Sequence, residues 1–173
     1  MEHGDYILPK NVPANEFMNL EGEKISTSRN WAVWLHEYLN DFPNMQDELR
    51  YCLIKNLPEN KDSDFSWKDF QQKNNNELVA ILGNYINRVF VLCDKFFDKK
   101  VPKPLDDNVD NEIFSELDEL KGKVELSIQN FKFREAMSYV IDVARLGNKY
   151  LTDTEPWKIF KENPERVKDI IHN

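Results

Sequence analysis

Apolar residues recur at offsets of three and four through most of the chain, and this period divides it into helices. The longest run places Leu78, Leu82, Tyr85, Val89, Leu92 and Phe96 on one stripe, predicting a helix over Asn74 to Lys99 with that stripe in the core. A second predicted helix, about Asn111 to Asn130, points Ile113, Leu117, Leu120, Val124 and Ile128 inward. A third, about Phe133 to Leu151, aligns Phe133, Ala136, Val140, Val143, Ala144, Gly147 and Leu151, with Ala144 and Gly147 small enough for close helix approach.

Shorter elements precede these. Trp31, Trp34, Leu35 and Tyr38 share one face of a helix opening at Trp31 under an Asn30 cap and ending at Asp41-Phe42-Pro43. Another helix begins at Gln46 and stops near Asn56-Leu57-Pro58, and Ser66 is placed to cap the next. Tyr6 to Glu23 is rich in turn residues and lacks a helical period, so short strands around Gly22 are expected, as a hairpin with no covering partner. Trp157 follows Pro156 at the start of a further helix, and Glu162 to Asn173 begins the last one. Short loops after Lys99, Asn130 and Leu151 favour neighbouring packing. The predicted fold is therefore mainly α: an antiparallel helical bundle preceded by a short β-hairpin and loop region.

Composition narrows the function classes. With 173 residues the chain can bury a sizeable core without staples. Cys52 and Cys93 lie far apart in apolar helical contexts and read as reduced packing residues. The three histidines, His3, His36 and His172, share no ligand spacing with each other or the cysteines, so no metal site is expected. No run is long enough to span a membrane, and the N-terminus lacks a basic flank with an apolar core, so a cytoplasmic protein is expected. A formal charge of −8 argues against DNA and against broad phosphate tracking, while leaving room for a local face that reads unstacked RNA bases.

Two polar features stand out from this frame. At about 100° per residue, Glu77, Asn84, Arg88 and Lys95 fall along one margin of the long helix, which in an unassigned protein is usually a solvated edge. The other is Lys24-Ile25-Ser26-Thr27-Ser28-Arg29-Asn30, whose Ser-Thr-Ser is also ordinary N-cap chemistry. The lysine loop resembles the KMSKS loop of class I aminoacyl-tRNA synthetases. The loop, Leu49-Arg50-Tyr51, the Asp62-to-Phe70 junction (Asp-x-Asp-Phe-x-Trp-x-Asp-Phe) and the helix with Asn75 and Glu77-Leu78 follow the order found in methionyl-tRNA synthetases. The resemblance runs from about Leu8 to Val167.

The resemblance implies roles. Lys24, Ser26, Thr27 and Ser28 would bind ATP, with Lys24 and Thr27 acting catalytically as negative charge builds on pyrophosphate. Asn84, Arg88 and Trp157 would read the anticodon, Trp157 by stacking on a base. The parent enzyme would use ATP with Mg2+, methionine and the methionine tRNA with its CAU anticodon. Residues 1–68 would end the catalytic core, and residues 69–173 would form a C-terminally incomplete anticodon-binding domain. Thr27 stands where the family usually has a second lysine, and Asn30 where glycine often follows the arginine. The chain has no phosphate-binding glycine loop, HIGH-type motif or βαβ alternation, so it is expected to be a fragment that is inactive alone. The alternative is a free-standing, non-catalytic tRNA-binding helical module.

Overall fold

The computed structural model describes residues 4, 7–103 and 110–173. His3 and the first residues of the chain, Tyr6, and Pro104 with Asp106 and Asp107 from the stretch after the long helix, lie outside the described residues.

Strands β1 (Met18–Leu20) and β2 (Glu23–Lys24) pair antiparallel around Gly22, whose φ of 79° suits a residue without Cβ. The hairpin does have a partner. β3 (Ser63–Phe65) pairs parallel to β1, giving the order β2-β1-β3 with Leu20 opposite Phe65. Asp62 and Asp64 tie this strand down: their carboxylates accept from the backbone N–H of Phe17 (3.0 Å) and Gly22 (2.7 Å). Three residues amid charged ones carry no alternation, which is why the strand reads as loop in the sequence.

Helix α1 (Leu35–Asp41) opens four residues later than expected. Asn30 takes φ 53° and spends its side-chain oxygen on the Trp34 indole N–H (2.8 Å), so it caps no helix. Trp31 is held back by a backbone bridge to Ser26 and by its indole N–H donating to Leu20 O (3.1 Å). Of the four residues expected on the buried face, only Tyr38 is fully buried; Trp31 and Leu35 are exposed. Tyr38 joins Leu20, Cys52, Phe65 and Phe70 in a first core, with Phe42 stacked on Tyr38 at 5.0 Å. Cys52 comes from α2 (Gln46–Lys55), and burial pushes its thiol up to about 11, as suits a packing residue.

α3 (Trp67–Lys73) is capped by Ser66, whose hydroxyl accepts from Asp69 N at 3.2 Å. Its helix does not stop. It continues as a π-helical stretch, Asn74–Gly83, and then as α4 (Asn84–Phe97), ending where Asp98 turns left-handed at φ 51°. The i→i+5 bonds of the π stretch put more residues in each turn, so the faces before and after it do not follow one 3.6-residue wheel. The expected single stripe breaks accordingly: Tyr85, Val89, Leu92 and Phe96 turn inward, whereas Leu82 is 37% exposed.

α5 (Asn111–Gln129) and α6 (Phe133–Thr154) form a helical hairpin through a three-residue turn in which Phe131 has φ 58°. Ile113, Leu117, Leu120 and Val124 are half-buried, but Ile128 is exposed at the hairpin tip. On α6, Ala136, Ile141, Ala144, Gly147 and Leu151 are buried, while Phe133 and Val140 are exposed. α6 packs against α2, the π stretch and α4. α7 (Pro156–Ile159) and α8 (Pro164–His172) close the bundle. The second core comprises Leu92, Cys93, Leu151, Val167, Ile170 and Ile171, with Phe96 and Phe160 stacked beside it at 4.1 Å. Asp110 pins α5 to α8 and α6, accepting two bonds from Arg166 (2.7 and 2.9 Å) and one from the Tyr150 hydroxyl.

Candidate lysine loop and RNA-reading face

Lys24 ends β2 and is exposed, with its ammonium 5.8 Å from the centre of the Phe17 ring. Beyond it the chain turns back through the Ser26–Trp31 bridge, which is closed by two backbone bonds of 2.8 and 2.9 Å. Inside that bridge Asn30 N donates to Thr27 O (3.1 Å), and the Ser26 and Ser28 hydroxyls lie 3.2 Å apart. Thr27 and Ser28 are exposed and Ser26 is half-buried. Arg29, absent from the expected set, belongs here as well. Its guanidinium donates to Lys24 O at 3.2 Å and lies 3.6 Å from Glu23. A cation next to two hydroxyl residues was the available signal. The loop thus presents an ammonium, a guanidinium and three hydroxyls on a short turn anchored by the sheet, a set suited to an anionic phosphate chain.

The second group of residues meets where α6 crosses the start of α4. Arg88 donates from Nη1 to the backbone oxygen (2.9 Å) and side-chain oxygen (3.2 Å) of Asn148, and from Nη2 to Thr152 Oγ1 (3.1 Å). Asn84 donates to the same Asn148 side-chain oxygen at 3.0 Å. Asn148 is fixed in turn, its amide donating to Ile81 O (2.9 Å) and Ala144 O (3.1 Å). The Arg88 guanidinium lies 5.5 Å from the centre of the Trp157 ring, within cation–π range. Trp157 is 39% exposed, yet it stands on a firm base: Pro156 is buried and Glu155 turns the chain at φ 42°.

Asn84, Arg88 and Trp157, remote in sequence, therefore form one surface with Asn148 and Thr152. The last two carried a faint signal, a polar i, i+4 pair beside the buried Ala144–Gly147–Leu151 face. The other two residues of the expected ridge go elsewhere. Glu77 accepts from the Tyr51 hydroxyl and lies 3.4 Å from Lys55, and Lys95 sits 5.2 Å over the Phe96 ring. The π stretch between Glu77 and Asn84 turns Glu77 to different neighbours, which an ideal wheel does not capture.

Residues 1–90 match the family described as tRNA synthetases class I (M), and residues 103–173 match the anticodon binding domain of methionyl tRNA ligase. The chain belongs to the methionyl-tRNA synthetase family. It is 61% identical over 171 residues to a methionine–tRNA ligase of Cytophaga hutchinsonii, and 59% identical over 170 residues to one of Flavobacterium johnsoniae. Each alignment covers 98% of this chain but 25% and 24% of the relative, so the chain spans about a quarter of the length of these methionine–tRNA ligases. The fold matches that of Mycobacterium tuberculosis methionyl-tRNA synthetase solved in complex with methionyl-adenylate. That match has a TM-score of 0.78 at 23% identity, over 91% of this chain and 32% of the other. Among the described residues no cluster of His, Cys, Asp or Glu is arranged to hold a metal, and no helix is long and apolar enough to cross a membrane.

Proposed function

We propose that this chain is the part of a class I methionine–tRNA ligase that joins the ATP-handling loop to the anticodon-reading helices. The observation that carries the reading is the Arg88 guanidinium, clamped by Asn148 and Thr152 beside Asn84 and lying over the exposed Trp157 ring. An unstacked cytosine can stack on the indole while its pairing edge meets an amide and a guanidinium, the combination single-stranded RNA recognition favours. Preorganisation matters here. With Asn148 holding Asn84 and Arg88, little side-chain freedom remains to be lost on binding. The ligand is the methionine tRNA and the bases read are those of its CAU anticodon.

In the complete ligase, Lys24, Ser26, Thr27 and Ser28 close over ATP, and Lys24 and Thr27 meet the charge that develops on pyrophosphate as methionyl-adenylate forms. Arg29, held against the Lys24 carbonyl, supplies a second cation to a loop whose usual second lysine is Thr27. Mg2+ arrives with the nucleotide as part of the substrate, in keeping with a loop that offers hydrogen-bond donors. Residues 1–68 form the end of the catalytic core and residues 69–173 the anticodon-binding domain. By itself the segment, about a quarter of the length of the ligases it is similar to, catalyses neither adenylate formation nor charging, and it acts in the cytoplasm.

The test is Trp157→Ala in a full-length methionine–tRNA ligase carrying this segment. Loss of the indole should weaken tRNA binding by about 1 to 3 kcal/mol and erode the preference for CAU, with tRNA-independent ATP–pyrophosphate exchange nearly unchanged. Full retention of anticodon preference would sink the reading.

A further inference from the structure

The two apolar cores share no residue, and in the seam between them a polar linkage lies beside the buried Ala136, Ile141 and Ala144 of α6. There, α2 and the π stretch both pack on α6. Tyr51, only 6% exposed, donates its hydroxyl to Glu77 Oε2. The Lys55 ammonium lies 3.4 Å from the same oxygen and donates to Ser138 Oγ at 3.0 Å, and that hydroxyl donates to Arg134 O at 3.0 Å. The Lys55 and Glu77 side chains are 16% and 23% exposed, so the ion pair is largely withdrawn from water. One carboxylate oxygen thereby links three segments: α2, the π stretch and, through Lys55, α6.

The position of this linkage gives it a use beyond holding the seam together. Glu77 lies in the π stretch, and that stretch runs without a break into α4, which opens with Asn84 and carries Arg88. On the other side, Tyr51 and Lys55 sit on α2, whose Cys52 packs in the core with Leu20 of β1, the strand whose hairpin leads into the lysine loop. A displacement of Asn84 and Arg88 along the helix axis meets the Glu77 linkage before it reaches α2. Apolar seams slide, whereas an ion pair that also accepts a hydroxyl has few alternative partners, so this contact transmits a shift as one of a few discrete arrangements.

We propose that Glu77 is a positioning residue that couples the RNA-reading face to the lysine loop by fixing α2 to the π stretch and α6. This rests on the function proposed above. It assigns Glu77 no contact with ATP or RNA, and it predicts an effect on turnover rather than on binding.

The experiment uses a full-length methionine–tRNA ligase carrying this segment, with aminoacylation rates normalised to active sites by the adenylate burst. Glu77→Gln keeps an oxygen for the Tyr51 hydroxyl but removes the charge facing Lys55. It should lower kcat for aminoacylation by about 3- to 30-fold, the range over which coupling mutations act. The tRNA Kd and the tRNA-independent ATP–pyrophosphate exchange should stay within about twofold. The decisive comparison adds Trp157→Ala: its effect on kcat should shrink in the Glu77→Gln background, because the signal it removes no longer arrives. If the two effects instead multiply, or if kcat per active site is unchanged, Glu77 merely holds the seam and the coupling is overturned. Should Glu77→Gln fold poorly, Tyr51→Phe, which deletes one hydroxyl and leaves the ion pair, takes its place in the same comparison. A Trp157→Ala that leaves tRNA binding, anticodon preference and kcat all unchanged in the unaltered ligase overturns the RNA-reading assignment and the coupling with it, whereas a loss of binding with kcat unchanged, or multiplying effects, overturns the coupling alone.

Discussion

Gly147 sits where α6 meets α4, and the contact there sets the sign of one mutation. A Cβ built on Gly147 would lie 2.4 Å, 2.6 Å and 3.0 Å from three carbons of the Tyr85 ring, the first two closer than non-bonded carbons approach. Tyr85 packs against the second core, so its ring cannot simply swing into water. Replacing a glycine in an open helix interior by alanine stabilises by about 0.5 to 1 kcal/mol, through backbone entropy and helix propensity. Overpacking a tight contact costs about 1 to 3 kcal/mol. The second effect wins, and Gly147→Ala should lose about 0.5 to 2 kcal/mol net. Gly122, in the middle of α5 with nothing within 4 Å of its built Cβ, is the internal control. Gly122→Ala should stabilise by about 0.5 to 1 kcal/mol. Urea unfolding of both variants, at equal m-value, measures the pair. Tyr85→Ala should make Gly147→Ala benign in the double mutant, since the ring that clashes is gone. Equal stabilisation by Gly147→Ala and Gly122→Ala would refute the close approach of α6 to α4, and with it the geometry that presents Asn148 to Arg88.

Two further outcomes follow from single contacts. In a full-length ligase carrying this segment, Lys24→Ala should slow adenylate formation by about 10²- to 10³-fold, as for loss of one preorganised charge donor, and a fall below about threefold in exchange kinetics would remove Lys24 from that role. The bond from Arg166 holds the Asp110 carboxyl below the usual carboxylate range, with the Tyr150 hydroxyl adding to it. This stabilisation is fully present above the unfolded value near 4 and is lost as pH falls through the lower folded value. Asp110→Asn should therefore cost about 1 kcal/mol at pH 7 and flatten the loss of stability below about pH 4; an unchanged acid limb in thermal melts would contradict it.

The helices were legible because their apolar period is long and their ends carry strong punctuation: Ser66 caps α3 and Pro156 opens α7, both where the residues indicate. Local competition was not legible. Asn30 has the chemistry of an N-cap, but the Trp34 indole takes its oxygen, and α1 starts later. β3 is three residues long and exists only because β1 lies beside it, a long-range pairing that no window over Ser63–Phe65 records. That Asn84, Arg88 and Trp157 belong to one surface was readable through family resemblance. Asn148, at its centre, was not: an asparagine in a helix is common, and its value comes from four side-chain hydrogen bonds reaching Ile81, Asn84, Ala144 and Arg88.

The π stretch also bears on how such a chain varies in length. A residue gained or lost within an α-helix rotates everything beyond it by about 100°, which would carry Asn84 and Arg88 off α6. Within Asn74–Gly83 the i→i+5 bonding already accommodates surplus chain, so the loss of one residue there can be absorbed by exchanging π for α bonding while both ends keep their neighbours. The helix has a slack section between two anchored grips, Phe70 in one core and Leu92 in the other. A one-residue deletion is therefore better absorbed in that interval than in the α-helical turns on either side of it.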